Sequence, residues 1–272
     1  MTARPESSDG ASARPIGVFD SGVGGLTVVR ELRRQLPRES ILYLGDTARL
    51  PYGTKSAETV RRYTQRCVDF LVGRGVKAVV VACNTASAMA LDDLDVPLPT
   101  WGVLEPGARY AAQRSAGRVG VIATESTIRS DAYARALLGL RPSLHVVSRA
   151  CPLFVPLVEE GWIDDPVTRA VAERYLAPLL EEGIDTLVLG CTHYPLLRAV
   201  LQEVVGDGVL LVDSAQAVTA EVCAGVAAGL VSPSAVERAE HHLCVTDLNP
   251  HFHSLAARIL GGETALEWLD GL

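Results

Sequence analysis

The sequence predicts an α/β protein built from two similar halves, each containing a mainly parallel sheet. Short apolar runs alternate with segments whose apolar residues recur at helical spacing, a pattern typical of buried parallel strands joined by helices. An internal repeat relates the first part of the chain to the second. With 48% hydrophobic and 21% charged residues over 272 positions, the composition is that of an ordinary globular protein.

The individual elements follow from these patterns in chain order. Strands are predicted at residues 16–19, 41–44, 78–81, 119–123, 144–147, 187–189 and 209–212. Helices are predicted at residues 26–36, 57–72, 128–138, 168–180 and 215–230, several with glycine or proline near an end.

The repeat defines two predicted domains. Residues 75–85 align without gaps with residues 183–193, and residues 16–21 match residues 119–124. We expect two pseudo-symmetric α/β domains with the active site in the cleft between them. The predicted bounds are 1–15 for a disordered N-terminal extension, 16–107 plus 219–272 for the N-terminal domain, and 108–218 for the C-terminal domain.

Charge and composition exclude several classes of protein. The net charge is −7, the only lysines are Lys55 and Lys77, and no dense basic run is present, so nucleic acid is not expected as a partner. No stretch of eighteen apolar residues predicts a membrane span, and the first fifteen residues lack the apolar core of a signal peptide. Six scattered cysteines without a C-x-x-C pair fit a reducing compartment, so a cytoplasmic location is predicted.

Two of the cysteines occupy equivalent positions in the repeat. Cys83 and Cys191 each end a predicted strand and begin the next helix, where open parallel sheets place ligands. Free amides and the helix dipole favour a thiolate there. A free cysteine is usually a small buried hydrophobe, which is our interpretation of Cys67, Cys223 and Cys244. The two repeat-related cysteines differ because hydrogen-bonding residues follow them directly: Asn84, Thr85, Thr192 and His193.

Opposed cysteines predict a particular chemistry. Moving the α-proton of an amino acid from one face to the other needs two proton carriers on either side of a planar carbanion, and a thiolate and a thiol meet that need. Amides and polar side chains near Asn84, Thr85 and Thr192 would meet the charge that develops on the α-carboxylate. The sequence therefore predicts an amino-acid racemase that uses Cys83 and Cys191.

Three other motifs have plainer interpretations. The segment from Asp20 to Gly25 could cradle a phosphate or cap the helix near Leu26, but its glycine spacing matches neither dinucleotide nor P-loop motifs. Asp213 is interpreted as a cap for the following helix. Four histidines near the C-terminus complete no recognisable metal pattern and are predicted to lie on a solvated face: His241, His242, His251 and His253.

Five motifs together resemble a known family, the glutamate racemases, over nearly the whole length after Pro15. They are residues 17–25, residues 45–53, Ala-Cys-Asn-Thr-Ala at 82–86, Cys-Pro-Leu-Phe-Val-Pro-Leu-Val-Glu-Glu-Gly at 151–161, and Gly-Cys-Thr-His-Tyr-Pro-Leu at 190–196. The resemblance implies a two-domain α/β isomerase that needs no cofactor and no metal. It also implies a supply of D-glutamate for peptidoglycan, and hence a role in cell wall biogenesis and cell shape.

The resemblance also implies roles for individual residues. Cys83 would take the proton from D-glutamate with help from Asp20, and Cys191 would take it from L-glutamate with help from His193. Substrate contacts are implied for Asp20, Ser21, Tyr52, Gly53, Asn84, Thr85, Glu160, Thr192 and His193. The neighbouring Glu159 is left open as the alternative to Glu160.

Competing functions remain from the sequence alone. A racemase of aspartate or another acidic amino acid would use the same pair of cysteines, although the longer motif match favours glutamate. A pyridoxal-phosphate racemase would need a Schiff-base lysine, and neither Lys55 nor Lys77 lies in a recognisable cofactor context. The resemblance raises two macromolecular partners, a second copy of the chain in a homodimer and DNA gyrase, which some racemases of this family inhibit.

Overall fold

The computed structural model describes residues 13–248, 250–263 and 265–272, and its strands form two parallel sheets. The first sheet has the order β10-β9-β2-β1-β3-β4, and the second has the order β6-β5-β7-β8. The strands are β1 (Ile16–Asp20), β2 (Ile41–Gly45), β3 (Ala78–Val81), β4 (Thr100–Gly102), β5 (Arg118–Ala123), β6 (His145–Ala150), β7 (Thr186–Gly190), β8 (Leu210–Asp213), β9 (His241–Val245) and β10 (Leu266–Trp268).

Helices connect the strands and cover the sheets. The α-helices are α1 (Leu26–Gln35), α2 (Ala57–Gly73), α3 (Asn84–Met89), α4 (Leu104–Arg114), α5 (Glu125–Arg129), α6 (Ala132–Leu140), α7 (Phe154–Glu159), α8 (Pro166–Glu181), α9 (Arg198–Val205), α10 (Ser214–Ala227) and α11 (Pro250–Leu260). Short 3-10 helices cover Thr47–Arg49, Tyr52–Thr54, Leu91–Asp93 and Tyr194–Leu197.

Four strands of the first sheet have the same order as the four strands of the second, which confirms the predicted pseudo-symmetric α/β fold. The order β2-β1-β3-β4 in the first sheet corresponds to β6-β5-β7-β8 in the second, and all neighbouring strands are parallel. All five residues of β1 and of β7 are buried, because helices cover both faces of each sheet. Ile16 and Leu187, in central strands of the two sheets, belong to one continuous core.

The chain returns to the first sheet near its end. Strand β9 pairs with β2, and β10 pairs with β9. Helix α10 starts directly after β8 of the second sheet and packs against α1 and α4. The Asp213 carboxylate accepts a hydrogen bond from the Ala215 amide at 2.8 Å, which confirms its interpretation as a helix cap. The predicted domain boundaries at 107 and 218 stay a prediction, and residues 1–12 of the predicted N-terminal extension lie outside the described residues.

One helix predicted as continuous is interrupted in the structure. The helix expected at residues 128–138 is two helices, α5 and α6, separated by Ser130 and Asp131. The backbone of Asp131 is left-handed, with φ of 56°, so the helical hydrogen-bond ladder is interrupted there.

Candidate active site

Cys83 lies where the chain leaves the first sheet. It follows β3 after one residue and occupies the N-cap position of α3. Its buried sulfur accepts a hydrogen bond from the Ala86 amide, with N and Sγ 3.5 Å apart, and lies 3.5 Å from the Ser21 hydroxyl. The local sequence therefore delivers the sulfur to the carboxyl edge of the sheet, as predicted from its position after an apolar strand.

The thiolate expected at Cys83 from the helix dipole is not favoured in the structure. Burial, and secondarily the negative charge of Asp20, raises the pKa of the Cys83 thiol to about 12, against the opposing hydrogen bonds of Ser21 and Ala86. Desolvation outweighs the dipole because α3 is only six residues long and its N-terminus is inside the protein. Cys83 is therefore a neutral thiol near pH 7.

Cys191 follows β7 directly and lies beside an imidazole. Its sulfur is 3.8 Å from Nδ1 of His193. The expectation that an α-helix begins at this cysteine is wrong, since the chain passes through Thr192 and His193 into the 3-10 helix Tyr194–Leu197, and α9 starts only at Arg198. The group beside the Cys191 sulfur is thus a neighbouring imidazole, not a helix N-terminus.

His193 connects Cys191 to a carboxylate. Its Nε2 atom is 3.3 Å from Glu159 Oε1, within ion-pair distance although not aligned as a hydrogen bond. Burial acts to lower the pKa of His193, but Cys191 and Glu159 overcome it and raise the pKa to about 10. His193 is therefore an imidazolium near pH 7, held between a sulfur and a carboxylate.

The structure distinguishes the two adjacent glutamates. Glu159, the last residue of α7, lies within ion-pair distance of His193, whereas the side chain of Glu160 is exposed. Both line a wider neighbouring pocket of about 270 Å³ that also includes His251 and Phe252. Of the two, Glu159 is the carboxylate in contact with the candidate site.

The Asp20 carboxylate binds the backbone amides of the glycine-rich turn, which a phosphate would need as donors. The carboxylate is fully buried and accepts hydrogen bonds from the Gly22 and Gly25 amides at 3.0 and 2.9 Å. Its second oxygen accepts a hydrogen bond from the Thr192 hydroxyl at 3.3 Å, which links the two halves. Burial raises the pKa of Asp20 above its ordinary value, against the opposing charge of His193. Because Asp20 takes these amides, the glycine-rich turn is not a phosphate cradle, and the N-cap of α1 is Gly25.

Tyr52 and Gly53 lie in the 3-10 helix Tyr52–Thr54 at the edge of the cavity. The buried Tyr52 hydroxyl donates to Asp46 Oδ2 at 2.6 Å, so this hydroxyl is already committed to the protein. A Cβ at Gly53 would lie 2.6 Å from Cβ of Thr124, so only glycine allows this approach between the halves.

Three threonine hydroxyls meet across the cleft. Thr85 lies 3.0 Å from Thr124 and 3.2 Å from Thr127, and Thr124 lies 3.0 Å from Thr127, measured between Oγ1 atoms. The sequence did not single out Thr124 or Thr127 as site residues. The available signal was the repeat, which aligns Thr124 with Ser21.

One small cavity joins most of the predicted residues. It encloses about 30 Å³, room for a few water molecules at most. Its lining consists of Ser21, Leu50, Pro51, Tyr52, Gly53, Cys83, Asn84, Thr85, Thr124, Val155, Cys191, Thr192 and His193. Asp20 lies directly behind it, in contact with Thr192. Glu160, also expected to contact substrate, is not part of this lining and instead lines the neighbouring pocket.

The remaining features concern metals and membranes. Within the described ranges, no group of three or more His, Cys, Asp or Glu side chains is placed to hold a metal ion. His241 lies in β9, and burial together with Arg33 and His242 lowers its pKa to about 4, so it is a neutral, partly buried residue, not part of a solvated face. Among the helices described, none has the length and apolar character required to cross a membrane.

Comparisons with known proteins show which families and structures this chain resembles. The family model described as Asp/Glu/hydantoin racemase matches residues 16–222. A glutamate racemase from Geobacter metallireducens is 54% identical over 255 residues, which cover 92% of this chain and 94% of that protein. The crystal structure of a glutamate racemase isoform from Bacillus anthracis superimposes with a TM-score of 0.91 at 40% identity, covering 96% of this chain and 98% of the other. That of the Francisella tularensis glutamate racemase in complex with D-glutamate gives 0.89 at 36% identity, covering 95% and 98%.

Proposed function

The chain belongs to the Asp/Glu/hydantoin racemase family, and on that premise we propose that it interconverts L- and D-glutamate using its own cysteines. The observation that carries the proposal is that Cys83 and Cys191, from equivalent strand ends of two sheets, line one cavity. The choice of glutamate over aspartate is supported by the similar glutamate racemases, which match over nearly the full length of the chain.

The proposed mechanism is a two-base proton transfer. The Cys191 thiolate, beside the His193 imidazolium, takes the α-proton of L-glutamate; the C–H bond breaks, its electron pair stays on carbon, and an S–H bond forms. The Cys83 thiol then gives its proton to the opposite face, which leaves Cys83 as the thiolate and yields D-glutamate. The reverse reaction starts from that form. The unequal surroundings of the two sulfurs support this assignment, since Cys83 holds its proton and Cys191 lies next to a cation.

Substrate recognition is proposed to use the polar lining of the cavity. Asp20 offers a carboxylate toward the substrate ammonium and assists Cys83, while Asn84, Thr85 and Thr192 offer donors to the α-carboxylate, where charge grows as the proton leaves. Ser21, Gly53 and the backbone of Tyr52 complete the substrate contacts, since the Tyr52 hydroxyl is bonded to Asp46, and His193 assists Cys191. We propose Glu159 in place of Glu160 as the cleft carboxylate, because it is the one 3.3 Å from His193.

The wider role follows the family. We propose that the chain supplies D-glutamate for peptidoglycan synthesis, and so acts in cell wall biogenesis and cell shape, as a cytoplasmic enzyme. A homodimer and an inhibitory interaction with DNA gyrase stay predictions from the resemblance. Sedimentation would test the first. A supercoiling assay with a Cys83→Ala variant would test the second, because it removes catalysis but keeps the surface.

The direct test is loss of optical activity measured by circular dichroism. The purified chain, with a metal chelator and no added cofactor, should drive either L- or D-glutamate to zero ellipticity. Aspartate should react much more weakly and glutamine not at all, because an amide lacks the charge that the site recognises and brings its own donors. Turnover of aspartate comparable to that of glutamate would overturn the substrate assignment.

The two-cysteine mechanism has a separate test. Cys83→Ala and Cys191→Ala should each abolish racemisation in both directions, because every turnover needs one group to remove a proton and another to supply it. Cys223→Ala is the matched control, since this half-buried thiol lies in α10 away from the cavity. An Ala variant at either cavity position that racemises at the parent rate would disprove the mechanism.

Half-reactions would assign each cysteine to a face. Elimination from a glutamate analogue with a leaving group on the β-carbon needs only the base. Cys83→Ser should therefore process only the L-like analogue through Cys191, and Cys191→Ser only the D-like analogue through Cys83. The opposite pairing would reverse the proposed assignment.

A further inference from the structure

The side-chain amide of Asn84 lies in the cavity wall, and only one of its two polar atoms is bonded within the described part of the chain. Its side chain is almost fully buried and lines the cavity next to Cys83. Among the described residues, its Nδ2 atom has no hydrogen-bond partner, although the atom is shielded from solvent. A buried amide donor without a partner is unfavourable unless a ligand supplies the acceptor. The carboxylate of an amino-acid substrate is such an acceptor.

The other end of the same amide is held by Tyr133. The hydroxyl of this buried α6 residue donates to Asn84 Oδ1 at 2.6 Å. It also lies 3.3 Å from the Ser214 hydroxyl, which itself donates to the Leu189 carbonyl at 3.2 Å. Burial raises the pKa of Tyr133 above its ordinary value, so the phenol keeps the proton that it donates.

The ring of Tyr133 has little freedom to move. A Cβ at Gly190 would lie 3.0 Å from Tyr133 Cε2, so the ring packs closely on the backbone at the end of β7. Cys191 is the next residue after this strand end. The hydroxyl therefore has a fixed position relative to the sulfur that the proposed mechanism uses.

We propose that Tyr133 is a positioning residue that orients the Asn84 amide. The two ends of an asparagine amide are nearly identical in shape, so a rotation about the terminal bond would exchange the oxygen and the nitrogen at little steric cost. The phenol has a single proton, and its 2.6 Å distance to Oδ1, against 3.3 Å to the Ser214 hydroxyl, assigns that proton to Asn84. A proton donated to Oδ1 selects the orientation in which Nδ2 points away from Tyr133, toward the cavity that Asn84 lines. The opposite orientation would present an oxygen to the substrate carboxylate and repel it.

The contact also crosses between the two halves. Asn84 follows β3 of the first sheet, whereas Tyr133 lies in α6, which packs on the second. The donor is thus oriented only when both halves enclose the cavity. This inference rests on the proposed racemase function, because it assumes a carboxylate substrate beside Cys83.

The test removes a single oxygen atom. Tyr133→Phe should lower kcat/KM for glutamate by about tenfold, with a higher KM because the substrate carboxylate is already charged in the ground state, and a lower kcat because its charge grows in the transition state. Tyr194→Phe is the matched control: its buried hydroxyl donates to the Cys151 carbonyl at 2.9 Å and not to a cavity residue. This control should lose comparable thermal stability yet keep KM within about twofold of the parent.

A double-mutant cycle separates orientation from general packing. If Tyr133 acts through Asn84, Asn84→Ala should cost about a hundredfold in kcat/KM, and adding Tyr133→Phe should change it no further. Multiplying effects, or an unchanged KM in Tyr133→Phe, would overturn the inference while leaving the racemase function intact. A parent enzyme that does not racemise glutamate would instead overturn both.

Discussion

Replacing Glu159 by glutamine tests the interaction that keeps His193 charged. The substitution keeps the size of the side chain and removes the charge that lies 3.3 Å from His193 Nε2. At an effective dielectric constant of ~20, two unit charges at this distance attract by about 5 kcal/mol. The Glu159 side chain is 34% exposed, so solvent screening leaves about 1–2 kcal/mol.

A loss of this size has two measurable consequences. His193 should release its proton at a pH roughly one lower than in the parent, so the alkaline limb of the pH profile of kcat/KM should move down by that amount. Because a pKa lowered by one from about 10 leaves most molecules with the His193 imidazolium at pH 8, kcat/KM should change little there and should fall by about fivefold at pH 10. Initial rates of racemisation between pH 6 and 10.5 give both quantities.

The neighbouring Glu160 provides the control, because the two substitutions are chemically identical and one residue apart. Glu160→Gln should leave both the rate and the alkaline limb unchanged, since its carboxylate is exposed to solvent and the ion pair with His193 is made by Glu159. A large loss in Glu160→Gln with little effect in Glu159→Gln would refute the reasoning.

Two further predictions concern packing and proton binding. In Gly24→Ala the new methyl group would lie 2.4 Å from Thr192 Oγ1 and 2.7 Å from His193 Nδ1, so the segment must shift. We expect kcat, measured from racemisation rates, to fall by at least about a hundredfold. The free energy of unfolding, measured by urea denaturation, should drop by about 1–3 kcal/mol. Folding raises the pKa of His193 from 6.5 to about 10 and that of Cys83 from 9.0 to about 12, so the folded state holds both protons more tightly. The stability from His193 is therefore complete below pH 6.5 and is lost as the pH rises toward 10, with the Cys83 contribution lost above pH 9; urea midpoints that rise from pH 6 to pH 10 would contradict this.

The sequence predicted the sheets well because buried parallel strands have a simple signature. The apolar runs before Cys83 and Cys191 lie in β3 and β7, and the repeat correctly implied equivalent positions in two sheets. Short peripheral elements carry less signal. Strand β4 has three residues, and α4 contains Pro106 and Gly107, which normally argue against a helix. Proline is tolerated there because it lies in the first helical turn, where amides have no acceptor within the helix.

Side-chain direction and distant partners were beyond the reach of the sequence. Adjacent residues in a helix point about 100° apart, so only the placement of α7 could distinguish Glu159 from Glu160. Tyr133 sits in a helix with no polar motif, and its partner Asn84 is 49 positions away. Burial, which determines the charge state of Cys83, likewise depends on the packing of the whole molecule.

The two cysteines have different surroundings, but the substrates are mirror images of each other. This symmetry limits how far the rates in the two directions can differ. L- and D-glutamate have the same free energy in water, so the equilibrium constant of their interconversion is one whatever the protein looks like. The forward and reverse values of kcat/KM refer to the same barrier from equally stable starting points and must therefore be equal. Asp20 behind Cys83 and His193 beside Cys191 can make one enantiomer bind more tightly, but only if that enantiomer also turns over proportionally more slowly. The asymmetry of the cleft thus governs which form of the loaded enzyme accumulates, and it gives neither direction a net advantage.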